Sequence, residues 1–217
     1  MKRYSLVIGL IIAVLLSSCS IKQHIHFKKD WSGSIDYNID MGTLKSMLDQ
    51  DSTSTAGIGR LLGAGGDYSE TIKTLQESSG LSNIVLEEDT VNGTIHLSMD
   101  FKDLDVLNDV MGGTGLGNFS GDSSDKGHTY FSLNKNKLTY KMPPISPSVD
   151  NGMAGMEAMQ SMMTFELKLS FDKKIKKVKT KTTASKSADS KEVIWKPNFE
   201  KLIRGEIVGE MVIILEK

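Results

Sequence analysis

Few residues in this 217-residue chain are able to do chemistry. Cys19 is its only cysteine, so no disulfide can form within one chain, and the thiol suits thioether formation. His24 and His26 stand two apart, a spacing that puts both imidazoles on one face of a strand and can bite a metal ion. Lys22 and Lys28 flank them and would repel a cation, and no nearby carboxylate completes a ligand set. That context favours a solvated strand face. His96 falls in the outward register of another strand, and His128 falls in a loop. Met153, Met156, Met159 and Met162 recur every third residue, with Met163 following, which lines thioethers along one helical face. The run can hold Cu(I), fill a core, or form an adaptable apolar surface for a lipid or partner. No cysteine or histidine flanks it, which ranks copper last.

Lys173, Lys174, Lys176, Lys177, Lys179, Lys181 and Lys186 form the one dense basic segment. On a strand, Lys177, Lys179 and Lys181 share a side, where lysines block edge-to-edge pairing. Contact with anionic lipid headgroups is the sharper alternative. Gly57-Ile58-Gly59 and Gly112-Gly113-Thr114-Gly115 lack the lysine and hydroxyl residue of a phosphate loop and read as loops. No nucleophile elbow or paired histidine–glutamate helix is present. The sequence therefore assigns no catalytic residue, no metal site and no cofactor, and the expectation is a protein that is not an enzyme.

The elements that must position these residues begin with a leader. Met1-Lys2-Arg3 is basic, Tyr4 to Leu16 is apolar and uncharged, and Ser17-Ser18 is small, the order of a secretory signal. The apolar part is short for a permanent membrane span. Leu16-Ser17-Ser18-Cys19 resembles the bacterial lipobox, the motif at which a cysteine thiol receives diacylglyceryl before cleavage. The resemblance implies lipidation of Cys19 as first residue of the mature chain. The membrane, reached through that anchor, is then a partner. Ser20 is not the aspartate that retains Gram-negative lipoproteins at the inner membrane, which implies the periplasmic face of the outer membrane for a Gram-negative source.

Residues 1–18 are thus expected to be a signal peptide, and 19–217 a single envelope domain. Removing Lys2 and Arg3 takes the net charge from −1 to −3, which argues against a nucleic-acid partner. Period-two alternation marks Ile21–Phe27 and Ser34–Met41 as a hairpin around Asp30-Trp31-Ser32-Gly33, with Thr43 capping a helix that carries Leu44, Met47 and Leu48. The same pattern returns sixty residues later, from Gly93 to Leu107. It predicts two hairpin–helix repeat units, about 21–50 and 81–111, with a flexible glycine- and serine-rich loop at about 51–66 between them and a second at about 112–127 after them. Asp67–Ser79 reads as a helix. Tyr130–Leu133, Lys137–Met142, Thr164–Phe171, Val178–Ala184, Glu192–Trp195 and Glu206–Leu215 read as strands, and Phe199–Ile203 as a helical turn.

The fold class expected is α+β, a mostly antiparallel sheet with helices packed on one face. The Phe-rich strand, the lysine-bearing turn, Ile194-Trp195 before a short helix, and Trp31-Ser32-Gly33-Ser34 soon after Cys19 resemble the LppM-like bacterial lipoprotein domain. That resemblance implies an envelope α+β domain with lipid binding as its activity. Two functions stand side by side: a non-enzymatic binding or scaffold module that meets lipid or envelope proteins, and a carrier that binds or transfers lipid or another hydrophobic ligand.

Overall fold

Where the alternation is cleanest, the chain forms strand. A computed structural model describes residues 19–42, 69–89, 91–113, 128–143, 163–198, 201–202, 206–207 and 209–216. Strands β1 (Cys19–Phe27) and β2 (Gly33–Asp40) make the expected hairpin. Ile21, Gln23, Ile25 and Phe27 point into the protein, while Lys22, His24 and His26 point out. In the turn, the Lys28 N–H donates to the Ser32 carbonyl at 2.8 Å. The Asp30 carboxylate accepts the Ser32 hydroxyl and N–H at 2.7 and 3.2 Å. Trp31 holds a left-handed φ of 69°, unusual for a bulky residue, and its indole meets Phe27 edge-on at 6.0 Å.

Helix α1 (Ser69–Glu77) leads into β3 (Leu81–Asp89) and β4 (Thr94–Phe101). Helix α2 (Leu104–Gly113) follows. Asp103 caps it: the carboxylate accepts the Val106 N–H at 2.9 Å, satisfying a donor the helix cannot. The second half supplies β5 (Phe131–Asn134), β6 (Lys137–Lys141), β7 (Met163–Phe171), β8 (Ile175–Thr180), β9 (Ala184–Lys186), β10 (Glu192–Trp195) and β11 (Glu210–Leu215).

These strands form two sheets. The large one runs β3-β4-β2-β1-β7-β10-β9, and the small one β5-β6-β11-β8. All described pairings are antiparallel except β1 with β7, which run side by side from Cys19 opposite Met163 to Phe27 opposite Phe171. The core lies between the sheets. Phe27 stacks on Phe171 at 5.3 Å and meets Phe101 and Phe131 edge-on at 5.9 and 5.6 Å. From the small sheet, Tyr140 reaches Phe131 at 5.1 Å and Trp195 at 5.7 Å, and Trp195 meets Phe165 at 6.0 Å. Burying each such ring contributes roughly 1.5–3 kcal/mol before chain entropy is counted. Burial also pushes the Tyr140 phenol up, with Tyr130 and Tyr37 adding to the shift.

The α+β expectation, with helices covering one sheet face in two repeat units, is corrected. The described residues hold eleven strands and two helices, and the fold is mostly β with two sheets. The layer expected from helices is supplied by the small sheet. Helix α2 sits beside it: the Asn108 amide donates to the Phe131 carbonyl at 2.9 Å, and its oxygen accepts the Phe131 N–H at 2.7 Å. The sixty-residue correspondence has a simpler cause. β2 and β4 are antiparallel neighbours facing one core, with Tyr37 opposite Leu97, so both carry the same inward apolar pattern. The first expected helix, at 43–50, lies outside the described residues, as do the stretches 51–66 and 114–127, whereas Gly112 and Gly113 end α2. The strand expected at Val178–Ala184 is instead two, β8 and β9, which belong to different sheets.

Candidate functional site

Cys19 is the first residue of β1, and it is already in register with Met163 of β7. The Thr164 hydroxyl donates to the Cys19 carbonyl at 3.3 Å, holding the strand end. The thiol-bearing residue is half-buried. Ser20, the next residue, pairs with Asp40. A group attached to Cys19 would therefore join a paired strand with no intervening tether.

The outward face of the large sheet gathers the titratable side chains. Parallel pairing sets His24 opposite Lys168 and His26 opposite Ser170, while β2 sets Asp36 opposite His24. The Ser170 Oγ lies 2.9 Å from His24 Nε2 and 3.0 Å from His26 Nδ1. His26 Nε2 faces Asp172 Oδ1 at 3.4 Å. One hydroxyl carries one proton, so Ser170 donates to one ring and accepts from the other. In the neutral state, Asp172 draws the His26 proton to Nε2. The serine then donates to Nδ1, and His24 donates its Nε2–H to the serine. Burial lowers the His24 pKa, with the Lys168 ammonium acting in the same direction and Asp36 and Glu192 opposing it.

Around this centre, Lys168 pairs with Glu192 at 2.9 Å and Lys196 with Glu166 at 2.6 Å. His96 lies between Asp36 and Glu87, 3.6 Å from each. His128 lies apart from it, its Nε2 3.1 Å from the Lys141 carbonyl. Among the described residues no group of three or more His, Cys, Asp or Glu side chains could hold a metal ion. A serine–histidine–aspartate chain does exist at Ser170, His26 and Asp172. It lies on the open face of two strands that are each paired on both sides, so their N–H groups serve the ladders. An acyl-transfer site needs such donors free and aimed at a developing oxyanion. The cluster can exchange protons and bind by hydrogen bonds.

The sequence singled out His24, His26 and His96, and the structure brings the first two together on one hydroxyl. It missed Ser170 and Asp172, whose link to β1 spans 144 and more residues. Lys177 and Lys179 are exposed on β8, the edge strand of the small sheet. Methionines 153, 156, 159 and 162 lie outside the described residues, while Met163 begins β7. Gln23, the polar member of the inward row, is 2% exposed and donates its amide to the Met111 sulfur at 3.1 Å. No helix among the described residues is long and apolar enough to cross a membrane.

No family model matches the chain, and no curated protein does. Among solved structures it is similar to the NMR structure of the folded domain of LppM from Mycobacterium tuberculosis, at 12% identity and a TM-score of 0.40, over 92% of this chain and 90% of that one. A likeness this weak leaves fold and function to be argued from the chain itself.

Proposed function

We propose that the protein is a lipid-anchored component of the bacterial cell envelope, acylated at Cys19, whose two-sheet domain is a non-enzymatic binding or scaffold module. The observation that carries this reading is the leader that ends in a lipobox-like motif, with its cysteine lying in a paired strand. Cys19 ends the lipobox-like Leu16-Ser17-Ser18-Cys19, and it begins β1. Cleavage before Cys19 would leave the lipidated cysteine at the head of the chain, directly in β1. Several acyl chains on one residue give stable anchoring where a single chain is marginal. The outer membrane, at its periplasmic face, is the proposed location.

The carrier alternative has less support. Aromatic rings from both sheets fill the space between them at centroid distances of 5–6 Å, the arrangement of a packed core. Half-buried titratable side chains on the outer face of the large sheet favour recognition by surface contact.

Replacing Cys19 by alanine tests the anchor. Cys19→Ala abolishes both fatty-acid labelling and cleavage of the leader in a cell that processes lipoproteins. Unchanged labelling would sink the reading.

A further inference from the structure

The end of the large sheet at which β1 begins has a composition of its own. Ser20 pairs with Asp40, Asp40 with Thr94, and Thr94 with Asp89, so the β3–β4 turn stands at the same end as Cys19. On the other side of β1, Met163 stands opposite Cys19 and continues the rim. Val91, in that turn, is 81% exposed. Among the described residues, the other large exposed apolar side chains, Val85 and Leu133, reach only 45% and 36%. Strands lie about 4.8 Å apart, which puts the Val91 turn roughly 10–15 Å from Cys19 along the rim.

We infer that this rim, carrying Cys19, Val91 and Met163, rests on the bilayer surface with β1 rising away from it. The inference rests on Cys19 being acylated, as proposed above. Because Ser20 is already paired, the anchored residue and the sheet end share one depth. A domain on a long linker could tumble; here the first strand is held at the headgroups. The rim's acidic strand ends are committed to their own turns. Asp40 accepts the Gly42 N–H at 3.0 Å, and Asp89 accepts the Val91 and Asn92 N–H groups at 2.9 Å. Asp89 also takes the Asn92 side-chain amide at 2.6 Å. Among the described residues of this row, Cys19, Ser20, Asp40, Asp89, Thr94 and Met163, none is a lysine. The contact is therefore with the apolar–headgroup boundary of the lipid, made by Val91 and the acyl chains rather than by attraction to anionic lipid.

At the opposite end, Lys29 follows β1 and is exposed. Eight strand steps separate Cys19 from Phe27, roughly 26 Å at 3.3 Å per residue.

The test uses the full chain, processed in a bacterial cell and reconstituted into phosphatidylethanolamine–phosphatidylglycerol nanodiscs. An acylated Cys19 has no free thiol, so Val91→Cys and Lys29→Cys each offer a single site for an environment-sensitive fluorophore on a maleimide. Lipids bearing a nitroxide near the headgroup then quench by proximity. The inference predicts severalfold stronger quenching at position 91 than at 29, unchanged when phosphatidylglycerol is omitted. Equal quenching, or stronger quenching at 29, in protein whose intact mass carries the acyl groups overturns the orientation and leaves the anchor standing. Maleimide uptake by the unsubstituted protein, with no acyl mass, overturns the anchor itself and the orientation with it.

Discussion

His24 Nε2 lies 2.9 Å from Ser170 Oγ, although the residues are 146 positions apart, because β1 and β7 run parallel in register. The same oxygen lies 3.0 Å from His26 Nδ1, so one hydroxyl links both rings. Ser170→Ala removes both hydrogen bonds. Water reaches these half-buried imidazoles and replaces part of what is lost, so the expected cost is about 1 kcal/mol. Urea denaturation checks the cost. Proton NMR of the imidazole rings checks the link, since the ring signals of both histidines should shift in the variant.

The His24 shift has a consequence for pH. Its pKa is lowered in the fold from the ordinary 6.5, first by burial and then by Lys168. Below 6.5 the unfolded chain binds the proton that the folded chain still refuses, so the His24 contribution to stability falls as pH drops through that window. His24→Gln keeps a hydrogen-bonding group but cannot titrate. Thermal melts between pH 7 and 5 should show a shallower loss of stability in the variant than in the parent.

Asn108 does for β5 what a neighbouring strand would do, supplying both a donor and an acceptor to the backbone of Phe131. Phe131 is 1% exposed, so water offers little replacement. Asn108→Ala leaves a carbonyl and an N–H without their partner, and the expected destabilisation is about 2–4 kcal/mol. Chemical denaturation with unchanged slope and a lower midpoint is the predicted result.

Gly33 allows β2 to leave the first turn close against β1. A Cβ there would stand 1.7 Å from the His26 carbonyl oxygen and 2.8 Å from the Phe101 ring. The oxygen belongs to backbone and cannot swing aside. Gly33→Ala must part the strands and should cost about 3 kcal/mol, at the upper end for overpacking, as a lowered melting temperature.

Much of the strand content was legible because alternation is a local signal. Ile21, Ile25 and Phe27 inward against His24 and His26 outward needs nothing beyond nine consecutive residues. The division into two sheets was not legible, since Val178–Ala184 reads as one run while β8 and β9 part between the sheets. The repeat was misread because antiparallel neighbours under one core share a pattern whether or not a helix follows. Ser170 looked like an ordinary outward serine of β7. Only its register with His26 gives it two imidazoles, and nothing near it in sequence announces a parallel partner. Cys19 was legible from its neighbours, but its place as the first residue of β1, in register with Met163, was visible only in the fold.

The central claim is that this domain is held at a membrane by Cys19, and the intact mass of the protein extracted from its own membranes tests it most directly. The account predicts residues 19–217 plus the acyl groups on the cysteine, with the leader absent. A full-length mass, or a chain beginning elsewhere with an unmodified Cys19, would contradict it.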